Sequence, residues 1–411
     1  GSDTALVERA VAFSGLYGTD LRGEPKVWPA GSVIVVRSGN RRDTGTHYTP
    51  KALAEEVVEH TLAPLCFSPG PAEGAEPGVW RPKKAEELLK LRVLDPAMGS
   101  GAFLVSACRY LADRVVEAWL REPELPQEIA KDVDRDDHEQ LHQIARRLVA
   151  DQCLYGVDRD PMAVELAKLS LWLVTLAKGR PFSFLDHALR CGDSLIGVID
   201  VRQVRQFHLD WQDRQLSPEV ARALEGTESL LSRAAELRRQ IESTAVTDIR
   251  VVREKAKLLA QAETLSGKLR LAADAVVGAA LAAEGISDEE ASEISGEENV
   301  GGARGAARFR DAKEDAKSRA YRYRLEAVAG LVATALGDED EVEAEAASEQ
   351  AREMVEGWLK GPRAEAVRPL HWPLEFPEVM GVGDASGFDA VVGNPPFVGG
   401  LKITGVHGHD Y

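Results

Sequence analysis

The sequence predicts an α/β fold interrupted by a large helical, coiled-coil-like insertion. Three observations predict it. Short apolar runs that stop at an acid or a glycine recur at residues 91–95, 153–158 and 390–392, the pattern of buried strands with polar tips. Amphipathic stretches follow the first two runs, at about 102–120 and from Pro161 onward, as crossover helices would. From about 217 to 359 the pattern changes to apolar residues at 4-3-4 spacing, the signature of packed helices.

Composition bounds the rest. A chain of 411 residues with 44% hydrophobic content exceeds one simple core and can bury a large one. No apolar run reaches membrane-spanning length and no signal-peptide pattern opens the chain, so a cytoplasmic protein with no membrane partner is expected. Cys66, Cys108, Cys153 and Cys191 are widely separated and form no Cys-x-x-Cys pair. That spacing argues for reduced thiols and against a zinc site or a disulfide framework, and no metal is expected. The net charge of -17 has the wrong sign for a nucleic-acid binder. Any polyanion must meet a local basic surface or one supplied by another domain.

Residues 4–18 read as a helix and 32–36 as a short strand. Thr46, Tyr48 and Thr49 then precede Pro50, which suits a first helical turn with Thr49 as N-cap. That hydroxyl-lined helix start is a natural seat for a carboxylate. A Pro/Gly-rich linker covers 68–82. The run ending Asp95-Pro96-Ala97-Met98-Gly99-Ser100-Gly101 is a strand, a glycine turn and a helix start. It lacks the third glycine of the dinucleotide fingerprint and the lysine of a P-loop. Asp95 at the strand end is suited to an ammonium or a bridging water, which points to a cofactor bearing an amino acid.

Asp158 closes the second strand, where a Rossmann-like fold binds ribose hydroxyls. Asp160 is expected to cap the helix that Pro161 begins. Residues 184–195 give a third strand edge, where Asp193 could accept from an adenine amine. Each acid taken alone is more often a cap or turn residue; three in register with strand tips are less easily read that way. Helices are further expected near 138–150, 310–336 and 341–360, with a helical hairpin at 230–276 and a mobile loop at 287–305. The helical region reads as a solvated structural arm outside the sheet. Near the end, Gly393-Asn394-Pro395-Pro396-Phe397 terminates the last apolar run. The prolines forbid strand pairing and helix, leaving a rigid turn. Its amide, Asn394, and its aromatic face, Phe397, suit a planar ring with an exocyclic amine.

Together these pieces resemble the class I S-adenosylmethionine-dependent DNA adenine-N6 methyltransferases. The likeness is closest to the type IIG restriction–modification enzymes and the BREX- or DISARM-like phage-defence group. It covers about 30–200 and 365–411. Thr46-His47-Tyr48-Thr49-Pro50 is similar to their N-terminal cofactor motif and the Asp95–Gly101 segment to their first motif. Asp158 matches the ribose acid, Asp193 the adenine contact, and Asn394-Pro395-Pro396-Phe397 the catalytic motif. His371-Trp372-Pro373-Leu374-Glu375-Phe376-Pro377-Glu378-Val379 is similar to the segment ahead of their catalytic strand.

The resemblance implies a Rossmann-like methyltransferase sheet, incomplete at the C-terminus, with S-adenosyl-L-methionine as cofactor. It implies Thr46, Tyr48, Thr49, Asp95, Ala97, Gly99, Gly101, Asp158 and Asp193 around that cofactor, with Asn394, Pro395, Pro396 and Phe397 catalytic. The expected organisation is an N-terminal helical segment with the cofactor motif at 1–67 and the cofactor-binding core at 83–200. A helical insertion follows at 201–364, and the catalytic strand and loop at 365–411. The expected partner is double-stranded DNA with a flipped adenine. A C-terminal target-recognition region is expected beyond this chain, and defence-system subunits are further candidates. This chain alone is expected to be a weak or inactive enzyme. Two alternatives stay open: a methyltransferase acting on a protein glutamine or an RNA base, and a catalytically incomplete cofactor-binding scaffold.

Overall fold

The computed structural model describes residues 49–394, apart from 131–132, 178, 213–217, 297–302, 338–340, 361–366 and 382–386. The helix expected at 4–18, the strand at 32–36, Thr46, Tyr48, Pro395, Pro396 and Phe397 lie outside the described residues.

Four short strands form one parallel sheet: β1 (Val93–Asp95), β2 (Leu154–Asp158), β3 (Leu189–Cys191) and β4 (Ala390–Val391). Their order is β3-β2-β1-β4. Val93 stands opposite both Leu154 and Ala390, and Asp158 opposite Cys191. The chain steps outward from β1 to β3 and then returns to β1's other side. Open parallel sheets bind ligands at such a reversal, outside the carboxyl ends of the strands.

Alternation along the strands divides the sheet into two faces. Val93, Leu154, Leu189 and Ala390 enter a core shared with helices α1 (Lys51–Cys66), α2 (Ala102–Arg121), α3 (His138–Gln152) and α4 (Pro161–Val174). Local signals start these helices. Asp137 caps α3 by accepting from the Gln140 N–H, and Asp160 caps α4 by accepting from the Met162 N–H with Pro161 in the first turn. At α1 the expectation fails by one position: Pro50, with ψ 137°, is the N-cap and no side chain caps the helix. Proline's fixed φ is compatible with a helix start, but its extended ψ delays the start to Lys51.

The opposite face carries Leu94, Tyr155 and Val157. Among the described residues no long helix joins its apolar cluster. Instead Leu370, Phe376 and Val379 pack there, with Trp372 and Phe388 beside them. The Tyr155 ring meets Phe376 edge-on at 5.6 Å and Phe388 at 5.3 Å, the geometry that aromatic quadrupoles favour.

Most of the described residues between β3 and β4 are helical. The consecutive helices α5 (Thr227–Ser243) and α6 (Ile249–Glu284) form the expected hairpin. Leu231 clusters with Leu269, and Ile241 with Leu259, an antiparallel pairing. Part of the stretch read as a mobile loop is a helix, α7 (Asp288–Ser295). Ser287 caps it, and three acids in its first turn complement the helix dipole. Helices α8 (Ala303–Leu336) and α9 (Glu341–Lys360) complete the region. These helices add no strand to the sheet among the described residues, yet they are not merely solvated. The Tyr155 hydroxyl donates to Glu242 of α5, and Arg147 of α3 donates to the Val246 carbonyl at 3.3 Å.

Candidate active site at the strand tips

The carboxyl end of β1 delivers Asp95, which is fully buried. Its Oδ1 accepts from the Ala97 N–H at 3.1 Å, while Oδ2 has no partner. Burial pushes this carboxyl up to about 7, outweighing the Ala97 hydrogen bond, and the charge of nearby Asp158 adds to the rise. The following turn places Gly99 and Gly101 in left-handed backbone, φ +53° and +83°. A Cβ on Gly101 would sit 3.2 Å from Ala167 of α4, so the turn needs glycine there for closeness as well as conformation.

Asp158, at the tip of β2, braces that turn. Its Oδ2 accepts from the Gly99 N–H at 2.8 Å and its Oδ1 from the Asp160 N–H at 2.9 Å. Each oxygen retains a second lone pair for a ligand hydroxyl. Beyond β3, Asp193 accepts from the Leu195 N–H at 3.1 Å, which forms a tight turn. Next to it Leu195 is 94% exposed, an apolar side chain open at the site rather than in the core.

β4 brings the end of the chain to the beginning of the sheet. The Val392 N–H donates to the Leu94 carbonyl at 2.8 Å, so Asn394 emerges, exposed, beside the β1 tip. A Cβ on Gly393 would lie 2.8 Å from Asp95 Oδ1. Sequence reasoning assigned Gly393 only to ending a strand. Its second role is to let the backbone pass the buried carboxylate, and only β1–β4 pairing reveals it.

The structure thus brings Asp95, Ala97, Gly99, Gly101, Asp158 and Asn394 to adjacent strand ends, with Asp193 just past the third. Thr49 is half-buried ahead of α1. A cleft of about 1130 Å³ lies elsewhere, between α4, β3, α6 and α9. The strand-tip acids do not line it.

A parallel sheet with an acid-and-glycine site at its carboxyl edge is the architecture on which the family comparisons fall. Residues 82–214 match the MmeI DNA-methyltransferase domain, and residues 152–407 match the Eco57I restriction-modification methylase model. The class is therefore a methyltransferase of restriction–modification type. With more than half of its length matched, the chain belongs to the Eco57I restriction-modification methylase family.

Two curated relatives agree. A putative type II restriction enzyme and methyltransferase of Methanocaldococcus jannaschii is 39% identical over 126 residues, 28% of this chain and 9% of that protein. The type II restriction enzyme and methyltransferase RM.Eco57I of Escherichia coli is 22% identical over 205 residues, 47% of this chain and 19% of that protein. The chain thus spans less than a fifth of either relative. No solved structure matches it. The resemblance to type IIG restriction–modification enzymes is borne out. No helix among the described residues is long and apolar enough to cross a membrane.

Proposed function

We propose that this chain transfers a methyl group from S-adenosylmethionine to the N6 amine of adenine in DNA, as part of a restriction–modification or phage-defence system. We read its sheet as part of a Rossmann-like methyltransferase core, into which residues 201–364 are inserted. The observation that carries this reading is the approach of Gly393, next to Asn394, to Asp95 at the sheet's reversal point, which joins motifs far apart in the sequence in one site.

The residues fit the cofactor. Asp95 keeps a buried, unpartnered oxygen, and a cation brought near it would favour its ionised form and lower its raised pKa. Asp158 has acceptor capacity left for ribose hydroxyls, and Asp193 is suited to the adenine amine. Tyr48 and Thr49, ahead of α1, would take the carboxylate at a helix start. When bound, S-adenosylmethionine supplies a methyl group on a sulfonium, an excellent leaving group.

The target adenine must leave the duplex, at a cost of a few kcal/mol, to reach the strand tips. Asn394 would accept from the amine hydrogens through its side-chain oxygen, helped by the Pro395 carbonyl, and so stabilise charge developing on nitrogen. Pro396 keeps the turn rigid, and Phe397 would stack on the extruded ring. Fixing the amine in line with the methyl group supplies much of the acceleration, so no strong base is needed.

The test is methylation of duplex DNA by the full-length gene product and by its Asn394→Ala variant, with the modified base identified. The reading expects N6-methyladenine with the parent protein, and no transfer but unchanged cofactor binding with the variant. Label appearing in a protein glutamine or in RNA would replace DNA as the substrate. Cofactor binding with no transfer to any acceptor would leave a scaffold.

A further inference from the structure

Three distant segments meet in one hydrogen-bonded network beside the tip of β3. Residues 193–198 and 368–372 run side by side: the Asp193 N–H donates to the Arg368 carbonyl at 2.9 Å, Leu370 to Ile196 at 2.8 Å, and Trp372 to Val198 at 3.0 Å. A Cβ on Gly197 would lie 1.9 Å from the Leu370 carbonyl oxygen, so no other residue permits this approach. The conformation of the Asp193 loop is therefore set by 368–372.

Helix α6 holds that segment in turn. Fully buried His371 accepts the Val198 N–H at Nδ1, 3.2 Å away. Its Nε2 then carries the proton and donates to Asp274 of α6 at 2.9 Å. One turn away on the same face of α6, Arg270 bonds Glu375, whose other oxygen takes Arg190 of β3 at 2.7 Å. Burial alone would raise the Glu375 carboxyl, but Arg190 and Arg270 outweigh it and hold it at about 2. Glu375, itself buried, is therefore a carboxylate at neutral pH, where hydrogen-bond geometry matters most, and Arg270 and Asp274 reach it and His371 from the wall of the cleft.

We propose that Arg270 and Asp274 of the helical region are positioning residues for cofactor binding: through His371 and Glu375 they hold the Asp193 loop in the shape that receives the cofactor's adenine. The proposal rests on the strand tips being the cofactor seat. It makes the helical region a working part of the binding site without direct contact to the ligand.

Calorimetry with S-adenosylhomocysteine on the 411-residue chain tests it. Asp274→Asn, an isosteric change, should weaken binding about tenfold, as coupled neighbours do. Arg270→Ala should do at least as much, and Arg270→Lys should restore most of the affinity. In an Asp193→Ala background both substitutions should lose their effect, because they act through that loop. A general structural loss would instead add to the Asp193→Ala loss, and that additivity would overturn the coupling. Wild-type affinity in Asp274→Asn and Arg270→Ala, with Asp158→Ala still impaired, would overturn the coupling and leave the seat standing. A parent protein that fails to bind, or an unimpaired Asp158→Ala, would remove the seat and the coupling together.

Discussion

The two faces of the sheet are built by different physics. The face under α1 to α4 is closed by aliphatic side chains from helices that neighbour the strands in sequence, such as Leu104, Leu111, Val115 and Leu141. The other face is closed by an irregular aromatic segment, 370–380, locked by ion pairs reaching into the helical region. There the Arg238 guanidinium grips Glu378 through two bonds, one of 2.8 Å from Nη2, and donates to the His187 carbonyl at 2.6 Å. Both partners are nearly inaccessible, 3% and 0% exposed. Apolar burial is non-directional and tolerates substitution of similar volume. A buried ion pair is directional, and losing one member strands the other.

That contrast can be broken or sharpened by mutation. The largest effect is expected on the second face. Arg238→Ala should cost as much as about 5 kcal/mol in urea unfolding, because Glu378 is left buried and unpaired. A double substitution, Arg238→Met with Glu378→Leu, should recover most of it. A double variant as unstable as the single would mean that packing rather than charge closes this face.

Next in size is the strand tip between the faces, where Asp95 is raised from 3.8 to about 7. Below about pH 4 the carboxyl is protonated in both folded and unfolded chains, and the contribution to stability is complete. As pH rises toward 7 the unfolded chain ionises first, so stability falls, by roughly 4 kcal/mol across the window. Asp95→Asn should remove that slope. Parallel pH profiles of the two proteins between pH 4 and 8 would contradict the raised value.

The smallest of the three belongs to the aliphatic face. Leu111→Ala should cost about 3 kcal/mol, and Leu111→Met should cost less than about 1.5 kcal/mol. If Leu111→Met proved as costly as Leu111→Ala, the first face would be as exacting as the second.

Strand-tip residues were legible in the sequence where the signal was local. An acid after an apolar run placed Asp95 and Asp158, the glycine pair placed the turn, and Asp160-Pro161 announced a capped helix. The span of α9 was legible too, since periodicity is written in adjacent turns. The acid-rich start of α7 misled, because a run of Asp and Glu describes both a solvated loop and a helix's first turn. Thr49 misled at α1 for a similar reason: a hydroxyl next to a proline fits either capping register.

By itself, then, the sequence determined most of the described strands and helices, and the acids that stand at the strand ends. Only the tertiary structure decided that β4 lies against β1, that Gly393 passes Asp95, and that Arg270 and Asp274 reach the loop carrying Asp193. The reason lies in range. Periodicity and capping depend on residues within a few positions of each other, whereas a buried charge is tolerated only where its partner lies, and the Glu378 partner is 140 positions away along the chain.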